Sequence, residues 1–116
     1  MNRKDNAVYI SNVNKVRSFL EQSYLENVRF SDITPLIDIG ECNFKKYFKK
    51  ETGFSVMQYF KRYKIQKSME LIKGGRFTFT QISVFLGYDS VHCFSRQFKA
   101  VTGMSPTEYK TKVRYK

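Results

Sequence analysis

The side chains best suited to bind a ligand lie on two stretches of the chain that follow the same pattern. The first stretch covers residues 44–59 and the second covers residues 94–109, fifty positions later. Each contains two phenylalanines four residues apart, then Thr-Gly, and then a serine three residues before a glutamine or glutamate. Glycine commonly ends a helix, and the serine pair is the arrangement of a capping box that opens the next helix. The pattern predicts one helical unit that is built twice.

Helical periodicity divides each stretch into an inward and an outward face, because residues i, i+3 and i+4 lie on the same side of a helix. In the first stretch the inward residues are predicted to be Phe44, Tyr47 and Phe48, and in the second Phe94 and Phe98. The outward residues of the first helix are Glu41, Cys42, Lys45, Lys46 and Lys49. Those of the second helix are Val91, His92, Ser95, Arg96 and Lys99.

The outward residues have the chemistry needed to read DNA. Lysine and arginine near the start of a helix can donate to guanine in the major groove, histidine can bond a base or a phosphate, and valine can touch a thymine methyl. For Lys45, Lys46 and Arg96 the alternative is phosphate attraction without base reading. For His92 and Val91 the alternative is an exposed side chain without a ligand.

Three further lysines lie at the far ends of the two helices. Lys49, Lys50 and Lys99 would complement the helix dipole there, and we interpret them as phosphate contacts or caps. The charge distribution agrees with a polyanionic partner, because residues 41–76 hold ten Lys and Arg against three Asp and Glu in a chain of net charge +11. The alternative for this surface is a solubilising role.

The elements that position these residues are all predicted to be helical. Residues 12–24 carry an apolar stripe, and 30–50 read as helix, turn, helix with Asp38 and Gly40 in the turn. Pro35 allows two starts for the helix before this turn, because either Ser31 or Thr34 can be its cap, and we favour Ser31. Residues 55–73 form a longer helix that Gly74-Gly75 stops, and 80–100 repeat the helix-turn-helix pattern.

Several contact residues and one distance follow from these helices. The predicted core stripes contain Val13, Val16, Phe19, Leu20, Ile33, Leu36, Ile37, Phe60, Tyr63, Met69, Leu71, Ile72, Ile82, Phe85 and Leu86. The nineteen residues of the connector would span roughly 28 Å, close to one turn of B-form DNA. No strand pattern competes with the helices.

The sequence lacks the residue patterns typical of enzymes, structural zinc sites and membrane proteins. It contains no Gly-rich phosphate loop and no Ser/His/Asp set, since His92 is the only histidine, so we expect neither enzymatic activity nor a cofactor. Cys42 and Cys93 are expected to be reduced thiols, because two cysteines and one histidine lack the ligands of a structural zinc site. No apolar run suits a membrane span or a signal peptide, so we expect a soluble, cytoplasmic protein.

The second unit resembles the signature of the AraC/XylS transcription regulators. The matching residues are Ile82-Ser83-Val84-Phe85-Leu86-Gly87-Tyr88-Asp89-Ser90-Val91-His92-Cys93-Phe94-Ser95-Arg96-Gln97-Phe98-Lys99, then Thr102-Gly103-Met104-Ser105-Pro106 and Tyr109. The resemblance runs from about Val8 to Lys112. It implies an all-α domain of about seven helices, with two helix-turn-helix subdomains at 8–53 and 76–112 and a connector helix at 54–75.

The resemblance also implies what the domain binds. Two recognition helices would enter adjacent major-groove segments of double-stranded DNA, and the base-reading positions would be Cys42, Lys45, Lys46, Val91, His92, Ser95 and Arg96. Because the outward residues differ between the copies, we expect an asymmetric site read by one monomeric chain, and we expect activation through RNA polymerase. The alternative is a basic helical adaptor that binds an acidic protein such as RNA polymerase or a phage regulator.

The chain departs from the family pattern at several positions. Thr34 and Ser83 stand where the family usually has alanine, and Asp38 and Gly40 replace the glycine and serine of the first turn. Asp38 can adopt the left-handed turn conformation at modest cost. Lys64 replaces a common arginine of the connector. Members usually carry a further effector or dimerisation domain, so the chain is either a single-domain member or the C-terminal part of a longer regulator.

Overall fold

The computed structural model describes the backbone of residues 3–114 and the side chains of residues 7–114. Seven α-helices and one 3₁₀ turn make up this part of the chain, which contains no strand, so the all-α prediction is confirmed. In chain order they are α1 (Arg3–Gln22), α2 (Phe30–Ile33), the 3₁₀ turn (Thr34–Leu36), α3 (Glu41–Thr52), α4 (Val56–Gly74), α5 (Phe79–Phe85), α6 (Val91–Thr102) and α7 (Pro106–Arg114).

The described chain forms two compact units. The first unit contains the described residues up to Ser23 together with Val28–Phe60, and the second contains Tyr24–Asn27 and the described residues from Lys61 onward. The boundary therefore falls inside α4. The division into 8–53, 54–75 and 76–112 stays a prediction.

The core of the first unit joins one face of α1 to α3 and to the start of α4. All three aliphatic residues of the α1 stripe and both predicted phenylalanines of α3 are buried. The buried apolar residues are Val13, Val16, Leu20, Val28, Ile33, Phe44, Phe48, Val56 and Phe60. Leu36 and Ile37, which were predicted to lie in the same stripe, are half-buried. Burial of this apolar surface is the main source of stability for so small a core.

The core of the second unit is built on α4, α5, α6 and α7. Its buried apolar residues are Ile65, Ile72, Ile82, Leu86, Phe94, Phe98 and Tyr109. Ile65 was absent from the predicted contact set although it is fully buried, whereas the predicted contact Phe85 is 40% exposed. Of the predicted α4 contacts, Phe60 and Ile72 are buried, whereas Tyr63, Met69 and Leu71 are half-buried. At the end of α5 the partly exposed Phe85 ring packs edge-on against Phe77.

The Thr-Gly ends of α3 and α6 are the same structure formed twice. Gly53 and Gly103 end α3 and α6 in the left-handed region, at φ 84° and 83°. The Thr52 hydroxyl donates to the carbonyl of Phe48 at 2.8 Å, and the Thr102 hydroxyl does the same to Phe98 at 2.8 Å. Each threonine oxygen also accepts the N–H two residues later, at 3.2 Å. The repeat in the sequence is thus a repeat in structure at this joint.

The predicted start of the first helix-turn-helix unit is wrong for both alternatives. The helix begins at Phe30, with Arg29 before it, and lasts only four residues. The Arg29 N–H donates to Asp32 Oδ2 at 2.9 Å, so an aspartate secures this end. Because Pro35 has no N–H and clashes with the preceding turn, the chain tightens into the 3₁₀ turn at Thr34–Leu36 instead of continuing as an α-helix.

Candidate nucleic-acid interface

The outward face of α3 is a row of exposed side chains opposite a fully buried one. Phe44 and Phe48 have no exposed surface, whereas the predicted outward residues are exposed. These are Glu41, Cys42, Lys45, Lys46 and Lys49, and Lys50 in the last turn is exposed as well. The helix thus presents four lysines to solvent within six positions.

Two of these lysines have partners within the first unit. The Lys45 ammonium lies 3.0 Å from Glu41 Oε1 and 4.6 Å from the centre of the Phe30 ring. Lys50 lies 5.5 Å from the centre of the Tyr47 ring, and that ring stacks on Tyr9 at 4.5 Å. Both arrangements are at the surface, where an ion pair or a cation–π contact contributes little, so they leave the charges available to an anion.

A buried asparagine positions the start of α3. Asn12, which is only 1% exposed, accepts from the Asp38 N–H at 3.0 Å and donates to Asp38 Oδ1 at 2.7 Å. The same amide donates to the Val8 carbonyl at 2.8 Å. This pair ties the turn to α1 across 26 residues. The N-cap of α3, Gly40, makes no side-chain capping bond, so the turn depends on Asn12.

Asp38 does not use the left-handed conformation that is accessible to an aspartate. Among the described residues, positive φ occurs only at glycines. Asp38 avoids that region because its N–H and carboxylate both bond to Asn12, which holds the turn without a left-handed residue. The sequence carried a signal for this, since Asn12 stands four residues before Val16 on the apolar stripe of α1, where a polar residue needs a buried partner.

The outward face of α6 differs in chemistry from that of α3. His92, Arg96 and Lys99 are exposed, while Val91 and Ser95 are half-buried. Phe94 and Phe98 are fully buried on the opposite side, as predicted. Each of the two helices therefore has an aromatic side in a core and a polar side in solvent. The polar side of α3 carries mainly lysines, whereas that of α6 carries histidine, serine, arginine and lysine.

The start of α6 carries a capped and polarised cysteine. The N-cap Ser90 accepts from the Cys93 N–H at 3.1 Å, and Arg96 Nη2 lies 3.7 Å from Cys93 Sγ. Hydrogen bonds from Ser90 and then from Arg96 lower the pKa of the Cys93 thiol. Both cysteines are free thiols, and Cys42 is the more exposed of the two.

Both ends of α5, including the turn that leads to α6, are held by contacts that were not predicted. Thr78 and Gln81 form a capping box at the start of α5, with bonds of 2.9 and 3.1 Å. The signal was present, since Thr-x-x-Gln has the same form as the Ser55 and Gln58 pair, which also makes both bonds. At the other end of α5, Gly87 has φ 78°, and a Cβ there would meet Asn27 Oδ1 at 3.0 Å.

A buried lysine secures the same turn. Lys64 of α4 is 6% exposed and donates to the Leu86 carbonyl at 2.6 Å, at the C-terminal end of α5. Its ammonium lies 5.5 Å from the centre of the Tyr88 ring. Burial lowers the pKa of Lys64 to about 8 and raises the pKa of Tyr88, whose hydroxyl donates to Gln97 Oε1. The departure from the family's arginine thus puts a titratable donor on this turn.

The described residues offer no other obvious chemistry. No three of their His, Cys, Asp and Glu side chains are grouped to hold a metal ion. None of the described helices is both long and apolar enough to cross a membrane. The strongest chemical features are the two exposed faces of α3 and α6.

Comparison with known proteins decides the family. The model of a helix-turn-helix domain, of the AraC type, matches residues 37–112, which include α3 to α6 and most of α7. The chain belongs to the AraC-type helix-turn-helix family. It is a DNA-binding transcription regulator domain of that type and is not an enzyme.

Individual relatives agree with this assignment of an AraC-type domain. The transcriptional regulatory protein HptR of Staphylococcus aureus is 31% identical over 97 residues, which are 84% of this chain and 38% of HptR. The chain thus spans less than two fifths of the length of the curated relatives it matches. The resemblance predicted from the sequence is confirmed.

Two solved structures share the fold of this AraC-type domain. The C-terminal domain of AraT, a response regulator from Geobacillus stearothermophilus, is similar with a TM-score of 0.79 at 22% identity, covering 87% of this chain and 84% of the other. The DNA-binding domain of AdpA, solved with a target DNA, has a TM-score of 0.80 at 16% identity, covering 89% and 93%. At such identities the likeness establishes the fold.

Proposed function

We propose that this domain binds an asymmetric double-stranded DNA site as a monomer, with α3 and α6 as its two recognition helices. The observation that carries this proposal is the pair of exposed faces, each opposite two fully buried phenylalanines, in a domain of AraC type. The DNA-binding domain of AdpA shares this fold and was solved in complex with a target DNA, which supports DNA as the ligand.

The residues divide into two roles. The base-reading set is Cys42, Lys45 and Lys46 on α3 and Val91, His92, Ser95 and Arg96 on α6. Lys49, Lys50 and Lys99, in the last turns of these helices, contact phosphates. Since the base-reading sets of the two helices share no residue type except a basic one, the two half-sites differ in sequence. The site is therefore not a palindrome.

We further propose that the domain activates transcription at the bacterial nucleoid through contact with RNA polymerase. The name of HptR as a transcriptional regulatory protein supports a role in regulation, and the basic charge of +11 supports a nucleic-acid partner. A reporter gene with the selected site upstream of a weak promoter tests the sign of regulation. Increased expression supports activation, and decreased expression contradicts it.

Selection from a random duplex library tests the DNA-binding proposal itself. The expected product is a bipartite, asymmetric motif whose two parts have centres about 10 bp apart, one helical turn of DNA. Binding should also weaken as salt rises, because phosphate contacts release counterions. Salt-sensitive binding without any selected sequence would contradict the proposal and favour the basic adaptor.

A further inference from the structure

A groove beside α3 combines an apolar floor with a cationic rim. Its volume is about 420 Å³, and Ser55 is one of its lining residues. The less exposed apolar lining residues, Phe30, Val56 and Met57, are called its floor. Lys45, Lys46 and Lys49 form its rim. Phe30 and Met57 are half-buried, so each keeps surface that a ligand can cover. All of these residues belong to the first unit.

The rim is arranged for more than one negative charge. Lys45 and Lys49 are one helical turn apart, about 6 Å along α3, and all three lysines are exposed. The ion pair of Lys45 with Glu41 is solvent-exposed on both sides, so a stronger acidic partner can replace it at little cost. The N-terminal end of α4, at Val56, adds the positive end of a helix dipole to this side of the groove.

The repeated frame does not require this groove. Fifty residues later, Thr107 stands in place of Met57, Pro106 in place of Val56 and Ser95 in place of Lys45. Phosphate contacts would use the lysines and leave the apolar floor without a role. The combination of a thioether and an aromatic ring beneath lysines is therefore a property of the first unit rather than of the fold.

We propose that the groove binds an acidic, amphipathic helix of a partner protein, whose apolar anchor covers Met57 and Phe30 while its carboxylates meet the lysines. Asp or Glu side chains at i and i+4 of such a helix are also one turn apart, so they match Lys45 and Lys49. A small amphiphile with a single carboxylate would satisfy one lysine and leave the others unmatched. Helix-in-groove recognition by apolar anchors is a common mode of peptide binding.

The partner helix and DNA exclude each other at α3. This part of the inference rests on the proposed function, because Lys45 and Lys46 are also in the base-reading set. A partner that occupies the groove covers the outward lysines of α3. An acidic protein bound at α3 would therefore control DNA binding by the first unit.

Direct peptide binding tests the groove without DNA. The probe is a fluorescent helical peptide of about 18 residues with a leucine stripe flanked by glutamates at i and i+4, and the control peptide has the same composition in scrambled order. The patterned peptide should bind, and the scrambled peptide should bind at least about tenfold more weakly. Equal binding of the two would overturn the proposal, because charge alone would then explain it.

A matched pair of variants locates the binding site. Met57→Thr places the second unit's residue in the first, and it should weaken the patterned peptide about tenfold, the loss of one buried anchor. Thr107→Met is the reciprocal change in the other unit and should leave the affinity unaltered. Far-ultraviolet circular dichroism and a melting curve confirm that each variant folds. An unchanged affinity in a folded Met57→Thr protein would place the peptide elsewhere and overturn the proposal.

Two further measurements separate this inference from the proposed function. The patterned peptide should displace the selected DNA duplex from the wild-type protein, and Met57→Thr should bind that duplex normally but resist displacement. Peptide binding that fails while the duplex still binds would overturn the groove alone. Loss of DNA selectivity with intact peptide binding would overturn the proposed function alone. Competition with decanoate tests the choice of a protein partner. If decanoate displaced the peptide at a concentration below the dissociation constant of the peptide, that choice would be overturned.

Discussion

The two helix-turn-helix units share a frame but secure their turns by different chemistry. In the first unit, a buried amide on α1 holds Asp38 at 2.7 and 3.0 Å, and Gly40 opens α3 without a side-chain cap. In the second, the buried ammonium of Lys64 holds the Leu86 carbonyl at 2.6 Å, and Ser90 caps α6. The two units therefore need a buried hydrogen bond at the same place, the turn before α3 or α6, but the group that supplies it differs.

This difference also separates the sensitivities of the two units. The first turn depends on the amide of Asn12, which does not titrate. The second turn depends on an amine whose pKa burial lowers to about 8. Substitutions at equivalent buried positions should therefore change stability alike in the two units. Substitutions of the groups that hold the turns should change it differently.

The largest expected effect concerns the shared frame. Phe48→Ala and Phe98→Ala should each lower the free energy of unfolding by about 3–5 kcal/mol, because each side chain is fully buried and leaves a cavity. Chemical denaturation followed by circular dichroism measures both. Val84→Ala, at a position 67% exposed, is the control and should stay within about 0.5 kcal/mol. A much smaller loss for one phenylalanine would show that the two cores are not equivalent.

Removal of the first turn's fastening should have the next largest effect on stability. Asn12→Ala leaves the Asp38 N–H and carboxylate without their partner and should cost about 1–3 kcal/mol. Amide hydrogen exchange should show faster exchange at Asp38 than at Gly87. Asn14→Ala, on the exposed side of the same helix, is the matched control and should be nearly neutral. Unaltered exchange at Asp38 would contradict the role of Asn12.

The two reading faces should differ in how mutations change DNA binding. Arg96→Ala should cost about 1–3 kcal/mol of binding free energy and relax preference at one base position, as for a bidentate guanine contact. Lys99→Ala should weaken all sequences alike and reduce the salt slope by about one. Binding titrations against a set of single-base variants of the selected site measure both. Uniform weakening by Arg96→Ala would make Arg96 a phosphate contact.

The pH dependence of stability should reveal the second turn's fastening. The folded pKa of Lys64, about 8, lies below its ordinary 10.5, so between these values the unfolded chain binds the proton that the folded protein has released. Raising the pH through this range should therefore stabilise the protein, by on the order of 1 kcal/mol. Lys64→Arg keeps a charged donor and should lack this rise.

The comparison of the two proteins across pH isolates this group. The tyrosines whose pKa is raised by burial, such as Tyr88, are present in both, so their contribution cancels in the difference. Urea denaturation at pH 7, 8, 9 and 10 supplies the two curves. Parallel curves would mean that the Lys64 amine is not responsible.

The smallest expected effect is at the helix starts. Gly40 has φ −59° and ψ 138°, which any residue can adopt, and a Cβ there would lie 3.9 Å from Asn43 Nδ2, an ordinary contact. Gly40→Ser should therefore stabilise the first unit by a few tenths of a kcal/mol, and Ser90→Gly should destabilise the second by a similar amount. Melting temperatures should shift by about 1–2 °C in opposite directions. Shifts of the same sign would break the assignment of Gly40 and Ser90 as equivalent caps.

Local patterns predicted the features that depend on nearby residues. The inward phenylalanines, the Thr-Gly ends and the capping box of Ser55 with Gln58 all depend on spacings of five residues or fewer, and the structure has them. The start of α2 was predicted wrongly because Asp32 secures it by accepting the Arg29 N–H, and Pro35 then ends the helix early. In that case a short 3₁₀ turn, which no capping pattern encodes, took the place of a longer helix.

The fastening groups could not be predicted because their partners are distant in sequence. Asn12 and Asp38 are 26 residues apart, and Lys64 and Leu86 are 22 apart. A polar residue in a helix shows that a partner is needed but not which one. The cationic groove could not be predicted for the same reason. The sequence indicated the lysines on α3, but not that apolar residues of α2 and α4 lie beside them.

The Thr-Gly joint has a consequence for the order in which the chain folds. All the hydrogen bonds of Thr52 stay within residues 48–54, and those of Thr102 within 98–104. Contacts so close in sequence close only short loops and have little entropic cost, so they can form early. The bonds of Asn12 and Lys64 must wait for segments more than 20 residues away. The C-terminal ends of α3 and α6 are therefore expected to form before the turns that precede these helices are fixed. Formation of those turns is then expected to limit the folding rate.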